Sequence, residues 1–202
     1  TEFQWGSECA TSSILNSDCR SKLKNLGTRI FYAKSLVLSQ ATAYEVIGKY
    51  NDSKIRYYAA TEKKYAEPLV FVSPLAIKMD IYDLYPYRSL IKYYVEQGFD
   101  VYLLDWGKFS YKDRDLDFLS FIDQAIPDCI RQIRAHSKSE LISLHGWSMS
   151  GIFVLLYTAL QQPSFVKNLI VLGSPIDSYA SGNIGKLYKR VNRYLNTNHA
   201  LQ

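Results

Sequence analysis

The chain contains no apolar run approaching the ~20 residues that a membrane-crossing helix requires. Gly, Pro or charged residues interrupt every long apolar stretch, so these stretches read as strands and core helices, and no transmembrane segment is expected. Cysteine is scarce: Cys9, Cys19 and Cys129 are odd in number, and their spacing suits neither a zinc site nor a redox pair. No metal and no cofactor are therefore expected, and a reduced, cytoplasmic setting is the default. There is no signal-peptide pattern, and the first residue is Thr1 rather than Met, so a processed chain or a piece of a longer one is expected. Internal repeats, low-complexity tracts and linker composition are also absent, and this argues for one domain.

What remains is the composition of a folding enzyme. A hydrophobic fraction of 48% against 21% charged residues excludes a disordered chain, and 202 residues suffice for one sizeable core. The net charge of +5 is scattered, apart from Lys186-Leu-Tyr-Lys-Arg190 and Arg193. It could attract anions such as a phosphorylated carrier or a lipid surface, but it reads first as a solvated face, and no nucleic-acid partner is expected.

Residues 1–40 form an N-terminal segment in which Leu23 to Leu38 suggests one or two helices. Residues 41–202 read as the core. Tyr44-Glu-Val-Ile-Gly48 and Ile55-Arg-Tyr-Tyr58 flank Asn51-Asp52, two residues that tolerate tight-turn angles, and predict a β-hairpin. Four short apolar runs follow: Pro68 to Leu75, Asp100 to Asp105, Leu141 to His145, and Val166 to Leu172. They have the character of buried parallel strands. Between them, Tyr87 to Gln97 carries a helical stripe that Gly98 would stop. Leu119 to Ile133 carries a second stripe, which Pro127 should kink or split, and Ile152 to Leu160 carries a third. Strands alternating with helices predict an α/β fold with a mostly parallel sheet covered on both faces.

The informative segment is Leu141-Ile-Ser-Leu-His-Gly-Trp-Ser-Met-Ser-Gly151. A strand runs into Gly146, Ser148 follows, and a helix begins at once, which is the context of a nucleophile elbow. Strand and helix approach closely there, so small residues must flank the serine. Gly146 satisfies this on one side; on the other, Ser150 takes the place usual for glycine, with Gly151 next. The N–H of Met149 is the expected first oxyanion donor. A second would come from Ser73-Pro-Leu-Ala76, as the N–H of Leu75 or Ala76, since Pro74 has none. The bland alternative for Ser148 is a serine capping a helix.

Several strings carry a family resemblance. Pro68-Leu-Val-Phe-Val-Ser-Pro-Leu75, Leu84-Tyr-Pro-Tyr-Arg-Ser-Leu90, Gly98-Phe-Asp-Val-Tyr-Leu-Leu-Asp-Trp-Gly107 and Gly173-Ser-Pro-Ile-Asp177 resemble the polyhydroxyalkanoate synthases. The similarity is greatest to the short catalytic subunit of the two-component enzymes and covers roughly residues 44–180. The resemblance implies an α/β-hydrolase core, a mobile cap and a catalytic triad. It implies transfer of a 3-hydroxyacyl group from coenzyme A, the substrate thioester, to a growing polyester, with a His–Asp pair handling protons. A partner subunit, a homodimer or a granule surface would be the macromolecular contacts.

Two departures matter. Ser148 stands where the family has Cys, which opens ester or polyester hydrolysis as an alternative. The chain also ends after its fourth parallel strand, whereas the family's Asp and His follow two later strands, so the core is expected to be incomplete at its C-terminus. Among the histidines present, His145 reads as a satisfied strand-end residue, His136 as the end of a surface helix, and His199 as part of a polar tail. Asp105 is expected to hold the loop around Trp106 and Gly107, and Cys129 to be an inert core thiol. The aromatics of Tyr82–Tyr87 and Trp106–Tyr111 suit an acyl pocket or the core equally. A third possibility is a non-catalytic paralogue binding through 186–194.

Overall fold

Asn51, at a φ of 51°, turns the chain between β1 (Glu45–Tyr50) and β2 (Ser53–Tyr58), so the predicted hairpin forms where Asn51-Asp52 placed it. The computed structural model describes residues 24–26, 42–75, 77–107, 109, 111–114 and 116–199. Apart from one helical turn at 24–26, the expected N-terminal helical segment 1–40 lies outside the described residues.

The four apolar runs become β3 (Leu69–Val72), β6 (Val101–Asp105), β7 (Ile142–Trp147) and β8 (Val166–Leu172). Between β3 and β6 lie β4 (Asp83–Tyr85) and β5 (Arg88–Ser89), a small separate hairpin that the sequence did not announce. The main sheet has the order β1-β2-β6-β3-β7-β8. β1 and β2 are antiparallel and the other four strands parallel, as expected for an α/β fold.

Alternation along these strands sorts side chains onto two faces. Val70, Val72, Tyr102 and Leu104 enter the larger core with α2 (Ile126–Ser137) and α3 (Met149–Gln161). Leu69, Phe71, Val101 and Leu103 enter the smaller core with α1 (Leu90–Gln97). Helix α1 begins three residues later than the Tyr87 start predicted. Ser89 is extended and caps the helix, its Oγ accepting from Lys92 N at 2.9 Å. Gly98 ends the helix at a φ of 100°, and a Cβ there would meet the Glu62 carbonyl oxygen at 2.8 Å.

At Pro127 the helix changes type without breaking. A π-helical turn, Phe121–Ala125, precedes α2, and the Ile126 N–H bonds the Phe121 carbonyl five residues back. The wider turn absorbs the helix bond that Pro127 cannot donate. His199, expected in a polar tail, instead ends helix α4 (Gly182–His199). No described helix is long and apolar enough to cross a membrane.

The chain leaves β3 toward β6 on one side and reaches β7 on the other. Such a reversal opens a crevice beyond the carboxyl ends of β3 and β7, and Ser148 lies there.

Candidate active site

Val72 pairs with Gly146 in the parallel register of β3 and β7. The segments that follow, Ser73–Leu75 and Trp147–Met149, therefore leave neighbouring strands side by side. Ser148 connects β7 to α3 with φ 56° and ψ −126°, outside the regions that L residues ordinarily occupy. Such backbone costs on the order of 1–3 kcal/mol and persists only where its surroundings fix it. Here the Ser148 N–H is held by the Leu172 carbonyl of β8 at 2.9 Å, and its carbonyl accepts from Gly151 N at 3.1 Å.

The Ser148 side chain makes no capping hydrogen bond to α3. The helix-capping alternative therefore does not describe it, and its hydroxyl is left half-buried and uncommitted. Other serines do perform structural duties. Ser150 Oγ accepts from Trp147 N at 2.9 Å and donates to Trp147 O at 2.8 Å, and Ser143 Oγ accepts from Asn168 at 3.0 Å.

The flanking glycines are required by close approach. A Cβ on Gly146 would lie 2.6 Å from both Gly151 Cα and the Ser150 carbonyl oxygen. A Cβ on Gly151 would lie 1.7 Å from Ser174 Oγ and 2.9 Å from Val171 Cγ1. The crowding anticipated at Ser150 is avoided because its hydroxyl turns back onto Trp147.

Of the expected oxyanion donors, Met149 is the first residue of α3, where backbone N–H groups lack helical acceptors. Leu75 lies in the turn after β3, half-buried against the larger core. Ala76 lies outside the described residues. The loop is anchored by Trp106, whose indole N–H donates to the Ser73 carbonyl at 2.6 Å. Ser73 Oγ itself is buried without a hydrogen-bond partner.

Asp105 holds its loop as expected. One carboxylate oxygen accepts from Gly107 N at 3.0 Å and the other pairs with Arg56. The aromatic segments divide: Tyr82 and Trp106 are core, whereas Tyr87 and Tyr111 are 77% and 79% exposed. One cavity, lined by Trp106, Phe109, Leu116 and Phe121, adjoins the loop after β6; a second lies against Arg134, Tyr157 and Phe165. Neither includes Ser148.

Neither His136 nor His145 is placed to serve Ser148. His136 Nδ1 lies 2.8 Å from the Tyr102 hydroxyl. His145 is 3% exposed and packs on Phe71 with ring centroids 4.4 Å apart. Burial pushes its pKa down to about 4, which keeps the ring neutral. It is not the satisfied histidine expected, because its Nδ1 is buried without a hydrogen-bond partner among the largely aromatic side chains around it. His199 ends α4, and its side chain lies outside the described residues. Cys129 is a buried free thiol, pushed up to about 12 by burial, and is inert as expected.

Sequence reasoning missed the Ser150 clamp, the Trp106–Ser73 tie and the contact of Tyr82 with the elbow, its ring edge-on to that of Trp147 with centroids 6.3 Å apart. The one available signal was Ser150 itself, a departure from the usual glycine.

Residues 57–199 match the alpha/beta hydrolase fold family. The chain belongs to that family. Within it, the chain is 37% identical over 129 residues to the poly(3-hydroxyalkanoate) polymerase subunit PhaC of Haloferax mediterranei, covering 63% of this chain and 26% of that protein. It is 33% identical over 138 residues to the PhaC subunit of Synechocystis sp., covering 67% of this chain and 36% of that protein. The PhaC subunit of Allochromatium vinosum is 33% identical over 117 residues, which are 58% of this chain and 33% of that protein. The chain thus spans about a quarter to a third of the length of these curated relatives. Among solved structures, the Francisella virulence factor BioJ superposes with a TM-score of 0.54 at 19% identity, over 83% of this chain and 58% of its own. That match supports the shared fold.

Proposed function

We propose that this hydrolase-fold chain carries the acyl-enzyme chemistry of a polyhydroxyalkanoate synthase-like acyltransferase, with Ser148 as nucleophile. The observation that carries this reading is the uncommitted Ser148 hydroxyl on a strained strand-to-helix turn, beside the loop that follows β3. The similarity to PhaC subunits supplies the substrate class, a 3-hydroxyacyl-coenzyme A thioester, and the acceptor, the hydroxyl end of a growing polyester.

In the first step Ser148 Oγ bonds to the thioester carbonyl carbon and its proton passes to a base. The Met149 N–H, with the Leu75 or Ala76 N–H, stabilises the oxyanion. The C–S bond then breaks and the coenzyme A thiolate leaves, taking up a proton. In the second step the chain-end hydroxyl attacks the acyl ester, extending the polymer by one unit and releasing Ser148. His136 and His145 are not the base, given their partners and burial. This chemistry uses no metal and no cofactor beyond the thioester substrate. The cytoplasm is its proposed setting.

The serine at position 148 favours a second reading, in which water replaces the chain-end hydroxyl and the protein is a serine esterase or polyester depolymerase. The test supplies 3-hydroxybutyryl-coenzyme A and measures polymer against free acid, with intact mass for an acyl adduct. Polymer supports transfer, and free acid alone supports hydrolysis. Ser148→Ala should remove the adduct and lower turnover by about 10^4-fold or more; an unchanged rate would overturn both readings.

A third reading, a non-catalytic binding subunit, draws on α4. Ile184, Leu187, Tyr188, Val191 and Tyr194 recur at helical spacing and are all exposed, Ile184 by 62%. Lys186, Lys189 and Arg193 fall on the opposite face by the same periodicity, and Arg190 borders the apolar one. We propose this helix as the contact for a partner subunit, a second copy or a granule surface. Co-sedimentation with polyester particles should drop for a Leu187→Ser, Val191→Ser variant; equal pelleting would reject the granule surface.

A further inference from the structure

Position 150 ordinarily takes glycine because the turn after the nucleophile leaves little room, and Gly146 faces the Ser150 carbonyl oxygen across a gap too narrow for a Cβ. Ser150 is nonetheless accommodated with 0% exposure. Its hydroxyl serves both backbone polar groups of Trp147, the residue immediately before Ser148: the Trp147 N–H donates to it at 2.9 Å, and it donates to the Trp147 carbonyl at 2.8 Å. A hydroxyl has one proton and two lone pairs, so these bonds leave one lone pair on Ser150 Oγ.

Tyr82 closes a short 3-10 turn, Met79–Tyr82, and reaches under the elbow from the other core. Its ring meets the Trp147 ring edge-on, with centroids 6.3 Å apart. Its hydroxyl is buried, lacks a hydrogen bond of ordinary geometry, and has Ser150 as its polar side-chain neighbour. A buried tyrosine hydroxyl usually finds a partner. The remaining lone pair of Ser150 Oγ is one acceptor open to it; His145, whose ring centroid lies 6.2 Å from that of Tyr82 and whose Nδ1 is also unpartnered, is the other polar group in contact with the ring.

We propose that Ser150 and Tyr82 form a buried hydroxyl brace that fixes the Trp147 peptide and thereby aims Ser148 Oγ at the acyl carbon. Both are positioning residues, and neither touches substrate. The brace rests on the reading of Ser148 as nucleophile and adds to it how the strained elbow is held where glycine is missing. Without the brace, Trp147 would be free to relax, and Ser148 with it, so attack would slow while substrate binding would be unchanged.

The test uses the full chain with Ser150→Ala, Tyr82→Phe and the double variant, each measured at a temperature where thermal denaturation shows it folded. Amide exchange at Trp147, followed by NMR, reads the brace without requiring activity. We expect exchange at least 10-fold faster in both single variants, and no faster in the double variant than in the faster single one. A fluorophosphonate probe then reads Ser148: the limiting labelling rate should fall at least 10-fold in each single variant, with the half-saturating probe concentration unchanged. Unchanged exchange at Trp147 overturns the brace. Faster exchange with an unaltered limiting rate overturns its positioning role. Labelling of wild type that persists in Ser148→Ala, or is absent altogether, overturns the nucleophile reading and the positioning role with it, whatever exchange at Trp147 shows.

Discussion

The indole N–H of Trp106, at the end of β6, donates to the carbonyl of Ser73, at the end of β3, across 2.6 Å of buried space. This bond fixes where the proposed oxyanion loop begins. Trp106→Phe keeps most of the aromatic bulk and removes the donor, leaving a buried carbonyl unsatisfied at a cost of about 1–3 kcal/mol. We expect urea denaturation to show that loss and fluorophosphonate labelling of Ser148 to slow. Full stability in the variant would mean that the bond does not anchor the loop.

Gly146→Ala places a Cβ against backbone, namely Gly151 Cα and the Ser150 carbonyl oxygen. Backbone cannot rotate aside as a side chain can, so β7 and α3 must separate. A loss of about 1–3 kcal/mol follows from such overpacking, or roughly 2–4 °C per kcal/mol in a thermal melt for a domain of this size. An unshifted melting temperature would contradict the close strand–helix approach.

His145 gives stability a pH dependence of definite sign. Its folded pKa lies near 4, below the unfolded value of 6.5, so the unfolded chain takes up the proton more readily. Its contribution is complete above pH 6.5, declines as pH falls, and is lost by about pH 4. Within that window the slope approaches about 1.4 kcal/mol per pH unit. His145→Phe can still pack on Phe71 and should flatten the slope between pH 6.5 and 4. A wild-type curve already flat there would show that His145 is not buried and neutral.

Asp105 and Glu67 both accept ion pairs, yet their removal should differ. Asp105→Asn strips the counter-charge from Arg56, whose side chain is only 10% exposed. Leaving that charge uncompensated should cost about 3–5 kcal/mol. Glu67→Gln breaks a pair with Lys167, which is 46% exposed, and should cost at most about 1 kcal/mol. Chemical denaturation of the two variants side by side tests this; equal losses would mean that the Arg56–Asp105 pair is effectively solvated.

What the sequence by itself determined is whatever rests on neighbours in the chain. The strands of the parallel sheet were legible as short apolar runs because burial on both faces removes polar residues. Gly98 was legible as a stop and Asn51-Asp52 as a turn, since each answers to local backbone angles. The elbow at Ser148 was legible because strand, serine and helix are contiguous. The hairpin of β4 and β5 was not, being too short to carry a period. Nor was α4, whose apolar residues are interleaved in the chain with Lys186, Lys189, Arg190 and Arg193. Only the tertiary structure decided that β3 and β7 are neighbours, which brings Ser73–Leu75 beside Ser148, since strand order depends on which crossovers pack and not on any one segment. It alone decided that His145 points into an apolar core, that Trp106 reaches Ser73, and that the Ser150 hydroxyl folds back on Trp147 with Tyr82 beneath it. These are contacts between side chains distant in sequence or turned by packing, and their free energy exists only once the sheet and helices have closed around them.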